Sequence, residues 1–228
     1  MRDKSLPGDM PGAGTTTRLA GVILLAASVL EIAVMAHHPT VHRADIAEVV
    51  EQISRLAWLD GVVHGVLMGL MLLVVYGFSE FALRRGLERP LIRAGAIAYG
   101  AGALVMLGAA LVDGFVVTGV ASLTPHGTAV DLQINAQLLI LCRVMNQSCA
   151  NFGVVAMSAG IGCWSLDLLR DGGQRRMTGV LGCLVSAVPA IALMCGLMHL
   201  DVHGMMAVLL LQALWNVAVG VLMLRSSV

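Results

Sequence analysis

The chain has 228 residues, of which 58% are hydrophobic and 12% charged, and its 14 basic and 14 acidic residues cancel. Soluble domains run at roughly 45–50% apolar and about 25% charged. The composition therefore excludes an ordinary soluble domain and points to a lipid bilayer as the chain's surroundings. Zero net charge gives no footing for nucleic acid or an acidic partner. All five cysteines (Cys142, Cys149, Cys163, Cys183 and Cys195) lie in apolar runs with no CxxC pair. A thiol there acts as a small hydrophobe, so no disulfide framework is expected.

Residues 1–17 are rich in glycine, proline and threonine and read as a disordered cytoplasmic tail, without the short apolar segment and cleavage site of a signal peptide. Spanning a bilayer takes about 20 mostly apolar residues in a helix. Six segments qualify: Arg18–His37, Ala57–Leu83, Ile92–Leu123, Ile134–Leu169, Met177–His199 and Val202–Arg225. Residues 18–228 are thus expected to form one domain, an all-α integral membrane bundle of six transmembrane helices. The third and fourth segments exceed the bilayer thickness and must tilt or project.

Between the first two segments, Ile46, Val49, Val50 and Ile53 recur at helical spacing among Arg43, Asp45, Glu48 and Glu51. This predicts a short amphipathic helix from His42 to Arg55, lying on the outer interface or capping the bundle. Gly95, Gly100, Gly102 and Gly108 suggest close packing of the third segment. Aromatic residues are too few to suggest a stacking platform for a cofactor.

Basic residues set the expected orientation. Arg2, Lys4 and Arg18 precede the first segment, Arg84, Arg85, Arg89 and Arg93 crowd the second connection, Arg170, Arg175 and Arg176 the fourth, and Arg225 closes the last. Arg43 and Arg55 lie on the other side, and Arg143 is inside the fourth segment. Positive-inside logic places both termini in the cytoplasm, in the inner membrane for a bacterial protein, with the odd-numbered connections facing out.

All seven histidines (His37, His38, His42, His64, His126, His199 and His203) then fall on the outward side. Leu59-Asp60-Gly61-Val62-Val63-His64-Gly65 is echoed, two residues shorter, by Leu200-Asp201-Val202-His203-Gly204. Ionisable groups inside a membrane are costly and face the bundle interior, pairing with one another or with a ligand. One outward-opening pocket is expected, lined by Glu31, Asp60, His64, Asp113, Arg143, Asn146, His199 and His203.

Imidazole suits zinc, copper, iron and nickel. Three histidines with an open position would make a catalytic zinc site. The candidate ligands are His64, His199 and His203, with His38 and Asp201 beside them. Asp60 or Asp113 would take a proton from metal-bound water, and Arg143 would steady an anionic group. Copper is suggested by Met194, Cys195, Met198, Met205 and Met206 around the HxxxH, and by Met35 before His37, because thioethers favour Cu(I). Haem, held by His64 and His203, is the alternative.

An early histidine with a late HxxxH, here His64 with His199 and His203, resembles the membrane zinc hydrolases that include alkaline ceramidases and adiponectin-receptor-like proteins. The likeness implies a carboxylate partner, Asp60 or Asp113. It covers only these residues, and those families have seven helices and a serine where this chain has Asp60. His37-His38 with His42, and His199 with His203, resemble the histidine boxes of membrane di-iron hydroxylases, which face the cytoplasm.

The expected function is a membrane metalloenzyme, a hydrolase or oxidoreductase acting on a lipophilic small molecule. The alternatives are a metal or small-solute transporter using Glu31, Asp113 and Arg143, a haem-binding subunit, and a structural subunit. Oligomeric state is left open.

Overall fold

The computed structural model describes residues 13–39, 45–123 and 127–225, so His42, His126 and most of the expected N-terminal tail lie outside the described residues. The chain is all-α, with six helical spans long and apolar enough to cross a membrane. In chain order these are α1 (Ala13–Met35), α2 (Ile46–Arg85), α3 (Pro90–Leu111) continuing through a π-helical segment (Val112–Val117) into α4 (Thr118–Leu123), α5 (Ala129–Leu168), α6 (Gly173–Met194) and α7 (Val202–Leu224).

Three boundaries differ from the sequence expectation for identifiable reasons. α1 starts at Ala13, so residues 13–17 of the expected tail are helical. The amphipathic stretch is helical as expected, but it forms the opening turns of the 40-residue α2 instead of a separate helix. Asp45 caps it by accepting from the Ala47 N–H at 2.7 Å, and no glycine or proline interrupts the chain before Gly61. The change there is in surroundings and not in backbone. α6 ends at Met194, and Gly196 with φ 68° turns the chain out.

At about 1.5 Å per residue, the 40 residues of α2 and of α5 each span about 60 Å, against a hydrocarbon core of about 30 Å. Both helices therefore project well beyond a bilayer. α5 opens on a capping box in which Thr128 and Asp131 satisfy each other's backbone N–H.

The helices close into a ring: α1 packs on α2, α2 on α3, α3 on α5, α5 on α6, α6 on α7, and α7 back on α1. The α3–α5 contact is the most intimate. A Cβ at Gly102 would stand 2.8 Å from the Gly153 carbonyl oxygen, and one at Gly95 3.0 Å from that of Gly160. Gly100 and Gly108, expected to pack in the same way, have nothing within 4 Å.

Aromatic residues are few, yet Phe78, Phe81, Tyr99, Trp164 and Trp215 gather from α2, α3, α5 and α7 and are each no more than 2% exposed. The Trp164 and Trp215 rings are near-parallel at 6.0 Å, and Phe78 lies 5.1 and 5.2 Å from them. Trp164 donates its indole N–H to the Ile92 carbonyl at 3.1 Å. The cluster is a packed plug in the arginine half of the ring. At the same end, the Arg85 guanidinium is buried against Asp167 and also reaches Asp171 at 2.7 Å. Arg89 adds a 3.4 Å contact to Asp167.

Candidate metal centre

At the other end, α1 and α2 bring His38 and His64 together. His38 follows the last turn of α1, and His64 is a buried residue of α2, 5% exposed. Their Nε2 atoms are 3.4 Å apart. Each Nδ1 lies against a carbonyl oxygen, that of Pro39 at 2.8 Å for His38 and that of Asp60 at 3.0 Å for His64. A carbonyl only accepts, so in both rings the proton sits on Nδ1 and donates. With both Nδ1 atoms so engaged, the two Nε2 atoms are left facing each other, and that of His64 also faces the Asp113 carboxylate.

The separation is at the long end for a hydrogen bond and is also one that two ligands of a single ion can adopt. A proton bridge would draw the nitrogens to about 3 Å. Two ligands about 2.0–2.1 Å from a tetrahedral ion stand about 3.3 Å apart.

Two carboxylates complete the group. Asp60 Oδ1 is 3.2 Å from His64 Nδ1 and 3.9 Å from His38 Nε2. Asp113 Oδ2 is 3.4 Å from His64 Nε2. Among the described residues, His38, Asp60 and His64 form the one group of three or more His, Cys, Asp or Glu whose candidate ligand atoms all lie within 4.8 Å of one another. Asp113 joins it through His64.

Asp113 reaches this position through the backbone. It lies in the six-residue π-helical segment, a wide turn of the kind found at functional sites in other proteins. Next to it, Gly114 is buried against His64, so that a Cβ there would stand 2.6 Å from His64 Cγ. Thr118 Oγ1 donates to the Gly114 carbonyl at 2.9 Å. From α5, the Asn146 amide donates to the Ala109 carbonyl at 3.0 Å, just before the π turn. Glycine thus permits the close approach, and α5 braces it.

Several expected residues stand elsewhere. His199 precedes α7 and His203 lies in its first turn, both exposed and outside the group around His64. Asp201 between them is the α7 N-cap, accepting from the Gly204 N–H at 2.8 Å. That bond, first among the causes, holds its carboxyl below the ordinary range. The pair therefore does not share a helical face, and the expected set of His64, His199 and His203 is not assembled. Arg143 is exposed and pairs with neither Glu31 nor Asp113 among the described residues. His37 is exposed, its Nδ1–H donating to the Ala33 carbonyl at 2.8 Å.

Beneath the two histidines lies a cavity of about 120 Å³ walled by α1, α2, α3, α5 and α7. His38, His64, Asp113 and Asp201 border its upper part. Its walls descend to Met71 on α2, Met106 on α3 and Leu209 on α7. The aromatic plug begins at Phe78, Tyr99 and Trp215 on the same helices, about 10 Å further along at the helical rise. The pocket is blind on that side. All five cysteines are free; none borders the cavity.

Comparison with known proteins returns no match: no family model fits the chain, and no curated protein or solved structure is similar to it.

Proposed function

We propose that this is an integral membrane protein that holds a divalent transition-metal ion between His38 and His64, with Asp60 and Asp113 supplying the compensating charge. The observation that carries the reading is the pair of Nε2 atoms 3.4 Å apart, each with its opposite nitrogen committed to a carbonyl. A carbonyl behind each imidazole is the usual outer support of a metal-bound histidine. Two carboxylates balance a divalent ion, which keeps the net charge low in surroundings of low dielectric. Zinc and Cu(II) both suit an imidazole and carboxylate set. The two nitrogens stand too close to be axial ligands on opposite faces of a haem iron. With both termini cytoplasmic, as the arginine distribution suggests, the site faces outward.

A metalloenzyme acting on a small lipophilic molecule is the second reading. It is favoured by the apolar walls of the cavity directly beneath the site, with Asp60 placed to accept a proton. Passage of a solute across the bundle is disfavoured by the aromatic plug.

The test is metal analysis of the protein purified in detergent and dialysed against zinc or Cu(II). One ion per chain is expected, lost in the His38→Ala, His64→Ala double variant and retained in the His199→Ala, His203→Ala double variant. Wild-type protein without bound metal, or metal that follows His199 and His203 instead, overturns the reading.

A further inference from the structure

The cavity has a chemistry of its own. Met35, Met68, Met71, Met106 and Met205 come to it from α1, α2, α3 and α7. Methionine commonly fills irregular gaps in helical cores. Here, however, five methionines border a space of about 120 Å³. Glu31 faces the same space and is 8% exposed. Its carboxyl has no hydrogen bond or ion pair among the described residues. A carboxyl buried in a membrane bundle without a partner is costly, and such groups mark ligand or ion sites.

The register of α1 and α2 orders these groups by depth. Glu31 and Met35 on α1 and His38 just past its end are spaced four and three residues apart, and His64, Met68 and Met71 repeat that spacing on α2. The two helices are joined by one short connection and run in opposite directions. With the histidines level, Met35 and Met68 lie about 5 Å below them, and Glu31 and Met71 about 10 Å below, at 1.5 Å per residue. Descending from the mouth, the donors change from imidazole to thioether and end at one carboxyl.

We propose that this cavity is a second metal site, for a soft monovalent ion of the Cu(I) class, with the methionine thioethers as ligands and Glu31 as counter-charge. Thioethers select Cu(I) over the divalent ions that imidazole and carboxylate accept. Charge assigns the two levels in the same way: Asp60 and Asp113 balance a divalent ion above, and the single Glu31 balances a monovalent one below. The lower site stands on different residues from the upper one, so either can fail alone.

The experiment is anaerobic titration of the full-length protein in detergent with Cu(I) against a Cu(I) chelator, followed by X-ray absorption spectroscopy of the bound copper. Sulfur-ligated Cu(I) is expected in the wild type and in the His38→Ala, His64→Ala variant. It is expected to be lost in Met68→Leu, Met71→Leu, Met106→Leu, a volume-conserving change that cores tolerate. Divalent metal at the upper site should survive in that variant and report that it is folded. Glu31→Gln should weaken Cu(I) binding about 10- to 100-fold, the usual range for a group supporting a metal site. Absence of Cu(I) binding by the wild type, copper bound through nitrogen and oxygen alone, or undiminished binding by the triple methionine variant overturns the proposal.

Discussion

Replacing Gly114 by alanine tests the construction of the upper site through packing alone. In an ordinary helix Gly→Ala stabilises by about 1 kcal/mol. At Gly114 the added Cβ would stand 2.6 Å from His64 Cγ and 2.9 Å from its Nδ1. The obstructing atoms are at the root of a buried ring, so they cannot swing aside without moving α2. Overpacking of this kind costs about 1–3 kcal/mol, and the root position argues for the upper half of that range. The net expectation is a loss of about 1–2 kcal/mol after the gain in helix propensity. Gly108, one turn and a half earlier, has nothing within 4 Å, so Gly108→Ala should be neutral or stabilising. The two variants should differ by about 1–3 kcal/mol, or about 2–12 °C in Tm for a chain of this size. Displacement of the His64 ring should also lower metal affinity about 10- to 100-fold in Gly114→Ala only. The measurements are thermal unfolding in detergent and metal titration. If Gly114→Ala matches Gly108→Ala in both, the close approach of the π turn to His64 is not what shapes the site.

Two predictions concern the arginine end. Asp167→Asn leaves the buried Arg85 guanidinium with Asp171 as its remaining carboxylate and should cost about 3 kcal/mol, the lower end for a broken buried pair. The Arg85→Met, Asp167→Leu double variant should recover most of that loss in the same unfolding assay, and a double variant no better than the single one would refute the assignment. Burial alone would raise the Asp171 carboxyl, but the Arg85 hydrogen bond and the charges of Arg85 and Arg175 outweigh it and hold the carboxyl below its ordinary value. Its contribution to stability is therefore full above the ordinary carboxylate range, about pH 3.9, and is lost as pH falls through the lower folded value. Between pH 5 and the acid limit, wild-type Tm should fall more steeply than that of Asp171→Asn; equal slopes would show that the pair contributes nothing.

Much of the fold was readable because the signal for a spanning helix is the composition of about 20 consecutive residues. Boundaries were less readable where the environment changes along an unbroken helix. At Ile46–Asp60 the pattern shifts from amphipathic to apolar with no residue that stops a helix. The site was half legible. His38, Asp60, His64 and Asp113 were all singled out, since ionisable groups stand out in apolar runs. The grouping of His199 and His203 with His64 is what the structure does not assemble among the described residues. Asp201 between them is a strong N-cap type, and as a cap it starts α7 after His199 instead of between two ligands on one face.

What sequence spacing could not supply is helix adjacency. Glu31, Met35 and His38 share a face by spacing alone, as do His64, Met68 and Met71. That the two faces meet, and that Met106 and Met205 join them, depends on the closure of the ring through α1 and α7. The π turn is hidden for a different reason: one extra residue in a helical turn leaves no compositional mark, yet it turns Asp113 toward His64.

The division of the ring into two unlike halves bears directly on function. In one half, space is taken up by five aromatic side chains, and the charges are matched by the Arg85, Asp167 and Asp171 network. Within it the Trp215 indole N–H and the Ser158 and Ser165 hydroxyls are buried without a hydrogen-bond partner among the described residues. In the other half, two imidazoles face each other and one carboxyl is unpartnered beside an open cavity. The glycines that carry α3 against α5 and Gly114 against His64 keep the walls of the pocket close. On the reading proposed above, a cation would be held in this open half, between the paired histidines and the aromatic cluster.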